Sequence, residues 1–84
     1  MAVTATDTHR TIAALWRLES PRLIGGLASM VRDVSLAEDR AQDALVAALE
    51  HWPQTGVPEN PGAWLVTTAK RRAIDALRRQ ASFD

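Results

Sequence analysis

No cysteine occurs in the 84 residues, which removes a disulfide framework and any thiolate metal site and suits a reducing compartment. Aromatic residues are few, three tryptophans and one phenylalanine. With alanine making up much of the apolar content, the core must be thin, built by close helix packing around a few Leu, Ile, Val and Trp side chains. No apolar run approaches the roughly 20 residues needed to cross a bilayer, and residues 1–10 carry no signal-peptide pattern. The two histidines, His9 and His51, lie far apart in the chain and in no metal-ligand motif. Neither a G-x-G-x-x-G nor a Walker loop is present, and no nucleophile is placed beside a base. These absences lead to the expectation of one soluble, cytoplasmic domain that is not an enzyme and holds no cofactor and no metal.

Net charge is also missing, since ten basic and ten acidic residues cancel. The cancellation hides a segregation. Residues 70–79 hold five bases (Lys70, Arg71, Arg72, Arg78, Arg79) and one acid, Asp75, for a local charge of +4. Residues 33–50 hold five acids (Asp33, Glu38, Asp39, Asp43, Glu50) and one base, Arg40, for −4. Such a layout can serve two partners of opposite sign.

The basic stretch belongs to a helix expected over residues 60–80. Asn60 can cap it, and Pro61 has the fixed φ that suits a first helical position. At about 100° per residue, Leu65, Val66, Ala69, Ala73, Ile74, Ala76 and Leu77 share one arc, and Thr67, Thr68, Arg71, Arg72, Asp75, Arg78 and Arg79 the other. Trp64 projects with the second set and Lys70 lies at the boundary. An aromatic ring among cations suits a nucleic-acid surface, the cations meeting phosphates and the ring stacking on an unpaired base. A solvated basic face and an inward-packed tryptophan fit the same pattern.

Upstream, residues 1–8 lack periodicity and read as a frayed end. Asp7 or Thr8 can cap a first helix containing Ile12, Leu15 and Trp16. Ser20-Pro21 marks a kink or restart, after which Leu23, Ile24, Leu27, Ala28 and Val31 recur at helical spacing. Gly25-Gly26 within that segment is expected to allow close helix approach. The run from Ser35 to Glu38 matches a capping box, S-x-x-E. The helix it opens, ending near His51, sets Ala37, Ala41, Ala44, Leu45, Ala48, Leu49 and Trp52 against an arc of Asp39, Gln42, Asp43, Val46 and Glu50. The loop W-P-Q-T-G-V-P-E-N is too rich in proline and glycine for a helix, and residues 81–84 look like a truncated end or the start of a linker.

The succession L-I-G-G-L-A-S-M-V-R-D, S-L-A-E-D-R-A-Q-D-A-L-V-A-A-L-E-H-W and N-P-G-A-W-L-V-T-T-A-K-R-R-A-I-D-A-L-R-R resembles region 2 of bacterial sigma factors of the sigma-70 family. Within that family it is most similar to the extracytoplasmic-function group. The likeness covers residues 12–79, with three motifs in order and at the right spacing. It implies an all-α bundle of three main helices, the first kinked or split near Pro21, ordered over about residues 9–80. A single region 2 domain would then occupy residues 1–84, without the family's helix-turn-helix region 4. It also implies a transcription initiation role. Asp39, Gln42, Asp43 and Val46 match residues that dock on the β′ clamp helices of RNA polymerase. The loop and helix start from Gly56 to Trp64, with Asn60 and Trp64 as the named residues, match those that hold a flipped non-template base of the promoter minus-ten element. Lys70, Arg71, Arg72, Arg78 and Arg79 match the helix that contacts promoter backbone and supports melting, although members often carry asparagine where Arg71 stands. An anti-sigma factor or further domains of the same protein are additional implied partners. Two other readings fit the bare residues: a small helical protein-interaction domain, and a duplex-binding helix-turn-helix-like domain, for which the loop before Pro61 is long.

Overall fold

The computed structural model describes residues 5–83. They form three α-helices, α1 (Ala5–Val31), α2 (Val34–Thr55) and α3 (Pro61–Phe83), and among the described residues there is no strand. The expected all-α bundle is thus present. Helix α2 is the central element, packed extensively on both α1 and α3, which touch each other least. Its inner stripe explains this position. Ala37, Ala41, Ala44 and Ala48 recur at helical spacing and are fully buried, and side chains this small let two helices approach α2 closely. Ala69 and Ala73 continue the same device on α3. Larger side chains fill the ends and seams: Ile12, Leu23 and Leu27 from α1, Trp52 from α2 and Leu65 from α3.

Helix α1 is one element across Pro21, so of the expected kink or split the split is absent. Proline removes one backbone donor and crowds the carbonyl of Arg17. Pro21 is exposed, on a side where water can reach that carbonyl, while buried Ile12 on one side and Leu23 and Leu27 on the other hold the helix to its neighbours. The N-terminal expectation also shifts. Residues 5–8 are helical, Thr8 is 6% exposed, and the Thr11 hydroxyl donates to the Asp7 carbonyl at 3.1 Å. Residues 1–4, the rest of the stretch read as frayed, lie outside the described residues. Residues 81–83 extend α3 rather than opening a linker, and Asp84 lies outside the described residues.

The α1–α2 connection takes two residues. Arg32 adopts a left-handed φ of 55° and donates its N–H to the Ala28 carbonyl at 2.8 Å, a closure of the helix end usually given to glycine. Asp33 follows in extended conformation, and its carboxylate accepts from Leu36 N at 3.0 Å. Asp33 is therefore the N-cap of α2, and Ser35, expected in that role, lies inside the first turn. At its other end α2 runs past His51 and through Pro53 to Thr55, into the loop that proline seemed to forbid. Side chains add to the backbone bonds of the last turn: Gln54 Nε2 donates to Glu50 O and Thr55 Oγ1 to His51 O, while Gly56 N closes the helix on Trp52 O. Gly56, at φ 89° and ψ 160°, then turns the chain through a region open essentially to glycine alone.

Two packing expectations fail. Gly25 and Gly26 are exposed, and a Cβ on either would meet nothing within 4 Å, so no helix of the bundle approaches them closely. Ile74 and Leu77, assigned to the buried arc of α3, are 40% and 39% exposed. Leu27 of α1 and Lys70 of α3 border one groove, and α1 ends only four residues after Leu27. By helical rise, α3 beyond about residue 74 has passed the end of α1.

Candidate nucleic-acid and protein interfaces

The start of α3 is built by Asn60. Its Oδ1 accepts from Ala63 N at 3.0 Å and its carbonyl accepts from Trp64 N at 3.1 Å, which leaves the side-chain amide nitrogen free to donate elsewhere. Gly62, in the first turn, lies under the carboxylate of Glu19 from α1: an added Cβ would stand 2.9 Å from Glu19 Oε2. A carboxylate beside a helix N-terminus is favourably placed for the helix dipole.

One face of this first part of α3 opens into a cavity of about 410 Å³ lined by Pro58, Asn60, Ala63, Trp64, Thr67, Thr68 and Arg71. Residues 60, 64, 67, 68 and 71 fall together because steps of three and four return to one helix face. The half-buried Trp64 forms a wall and is itself braced from below, its ring 5.1 Å from that of Trp52 and inclined at 68°. Such edge-to-face pairs contribute about 0.5–1.5 kcal/mol beyond burial. Trp52 is 1% exposed and its indole N–H is buried without an acceptor, so packing alone holds it. The ring packs inward on Trp52 and also borders the cavity, whose lining includes one cation, Arg71.

Of the residues expected to meet nucleic acid, Asn60, Trp64 and Arg71 share this cavity. Lys70 borders a different groove, between α1 and α3. Arg72, Arg78 and Arg79 are exposed farther along α3 and border neither. Pro58 and Ala63 fall within the stretch 56–64 that the family likeness pointed to, and Thr67 and Thr68 lie on the arc shared with Arg71, but none of the four was named as a site residue from the sequence.

The acidic face lies on α2, away from its buried alanines. Asp39 and Gln42 are exposed, and Val46 is 50% exposed. Asp43 is more enclosed, because Arg40 Nε stands 3.2 Å from its Oδ2. The contact is an ion pair without hydrogen-bond alignment. One base within the acidic stretch thus already neutralises part of the face, a role the sequence reading did not give it. Leu49, expected on the buried arc, is 36% exposed and extends the apolar centre around Val46 by almost one turn. Among the described residues no group of histidine or acidic side chains is placed to hold a metal ion. Also among the described residues, no helix is long and apolar enough to cross a membrane.

Comparison with known proteins fits this layout. An uncharacterized protein of Rhizobium meliloti (strain 1021) is 41% identical over 61 residues, 73% of this chain but 14% of that protein. The chain therefore corresponds to a small part of that relative's length. No solved structure matches. The model of the Sigma-70 region 2 family matches residues 15–83, from Leu15 on α1 to the end of α3, and so takes in both the acidic face and the cavity. On that match the chain belongs to the sigma-70 region 2 family.

Proposed function

We propose that this domain acts in transcription initiation, joining RNA polymerase to promoter DNA, as a member of the extracytoplasmic-function group. The observation that carries the reading is the cavity at the start of α3, where a tryptophan wall, a free amide donor on Asn60, two threonine hydroxyls and the Arg71 guanidinium converge. A cavity of 410 Å³ admits an unstacked nucleobase. Flipping a base out costs a few kcal/mol, which stacking and edge hydrogen bonds recover only for a matching base. In this reading the cavity receives a non-template base of the minus-ten element, and Lys70, Arg71, Arg72, Arg78 and Arg79 neutralise the strand's phosphates and favour the melted state. Asp39, Gln42, Asp43 and Val46 dock on the β′ clamp helices, the carboxylates orienting the encounter and Val46 providing its apolar centre.

Titration of isolated β′ clamp helices with the 84-residue chain tests the docking half. Wild type is expected to bind at micromolar or tighter concentration, and Asp43→Arg to abolish binding while keeping the helical circular dichroism spectrum. Failure of the folded wild-type chain to bind sinks the docking assignment. A parallel titration with single-stranded and duplex minus-ten oligonucleotides tests the cavity, preference for the duplex being the outcome that contradicts it.

A further inference from the structure

A second concavity, of about 260 Å³, runs between α1 and α3 and is lined by Arg22, Leu23, Gly26, Leu27, Val66 and Lys70. Its floor is aliphatic, and its two rims carry one cation each, Arg22 on α1 and Lys70 on α3. Both are exposed, and among the described residues neither takes part in an ion pair. No aromatic side chain lines it, so a nucleic-acid strand would find phosphate partners but nothing on which to stack a base. Gly26 matters here. Glycine in a helix interior costs about 1 kcal/mol relative to alanine, and nothing within the bundle approaches Gly25 or Gly26 to account for its use.

We infer that this groove docks an acidic amphipathic helix of a partner protein, an aliphatic side chain entering over Gly26 between Leu23, Leu27 and Val66 and carboxylates on either side meeting Arg22 and Lys70. Charge complementarity selects the occupant. An apolar floor between two unpaired cations fits a helix whose leucine stripe is edged with glutamate and rejects one edged with lysine. The missing Cβ lets the partner's backbone come close to α1. Since Lys70 also belongs to the basic stretch, the test uses no DNA and does not depend on the promoter reading.

The isotope-labelled chain is titrated, with amide chemical shifts as readout, with a capped peptide of about 15 residues, long enough to populate helix. The peptide carries leucines at i and i+4 edged with glutamates, and a second version carries lysines instead. Saturable shifts confined to the amides of residues 22–27 and 66–70, seen with the glutamate peptide and not with the lysine one, are expected. Arg22→Glu with Lys70→Glu should weaken the glutamate peptide by about tenfold or more and admit the lysine peptide. Gly26→Leu should block both while melting no lower than wild type, because leucine is the better helix former. Absence of saturable shifts, equal binding of both peptides or shifts centred on α2 overturns the assignment. Concentration-dependent shifts at the groove without peptide also overturn it, by making a second copy of the chain the occupant.

Discussion

At Asp33 one carboxylate decides where a helix begins. Asp33 and Ser35 are both residue types that cap helices, and the S-x-x-E spacing favoured the serine. The chain caps two residues earlier because Arg32, in its left-handed conformation, has already closed α1, and the next extended residue stands directly before α2. Asp33→Ala should therefore destabilise the domain by about 1 kcal/mol, lowering the melting temperature by roughly 4–8 °C in a domain of this size. Ser35→Ala should stay within about 0.5 kcal/mol. Thermal unfolding of the two variants separates the alternatives, and a larger loss at Ser35 would restore the capping box. The same scale governs the cavity. Trp64, Thr67, Thr68 and Arg71 converge because they share a helix face, whereas Lys70 and Arg72, adjacent in sequence to Arg71, are each turned by about 100° and leave it.

Among the elements, helical periodicity was legible wherever the apolar positions were dense. The alanine stripe of α2 gave both the existence of that helix and its buried face, and the run after Pro61 gave α3. Breakers were less informative. Pro21 and Pro53 both lie inside helices, since a proline's local penalty of about 3 kcal/mol is offset by contacts that no short window reveals. For Pro53 these include the neighbouring Trp52, buried against α1 and α3 residues of the core. The tryptophan pair itself, Trp52 with Trp64, joins residues on two helices across a tight loop and could not be read from either helix alone. Trp52→Ala is expected to cost about 3–5 kcal/mol, a large part of the roughly 5–15 kcal/mol that stabilises a small domain. Trp52→Phe should cost less, because a ring remains against Trp64 and the unpaired N–H is removed. Urea unfolding of both variants measures the difference, and equal losses would mean that the ring contact contributes little.

Seen whole, the molecule is long, with principal extents of 53, 22 and 18 Å, and its charge is divided between elements: acid on the exposed side of α2, base along α3. The division was legible by counting and its helix faces by periodicity, but the partners of single charges were not. Lys70 turned out to border the α1–α3 groove, and Arg40 to be paired with Asp43. If all five cations of residues 70–79 meet phosphates, the logarithm of single-strand affinity should fall with the logarithm of salt concentration with a slope of roughly −3.5. Arg78→Ala should reduce that slope by about 0.7 with little effect on base preference, because Arg78 borders no cavity. Fluorescence anisotropy at several salt concentrations measures both, and an unchanged slope would remove Arg78 from the strand's path.

Trp52 stands six residues after Val46 on a single unbroken helix, and it braces the wall of the cavity. Helix α2 therefore acts as a ruler. Whatever seats on Val46 fixes, through a rigid rod rather than a hinge, where the cavity is held in space. A single residue inserted just after Val46 would turn everything after it by about 100°, carrying Ala48 and Trp52 out of the buried stripe they share with Ala41 and Ala44, so the spacing from Val46 to the cavity is fixed by the same packing that holds the bundle together.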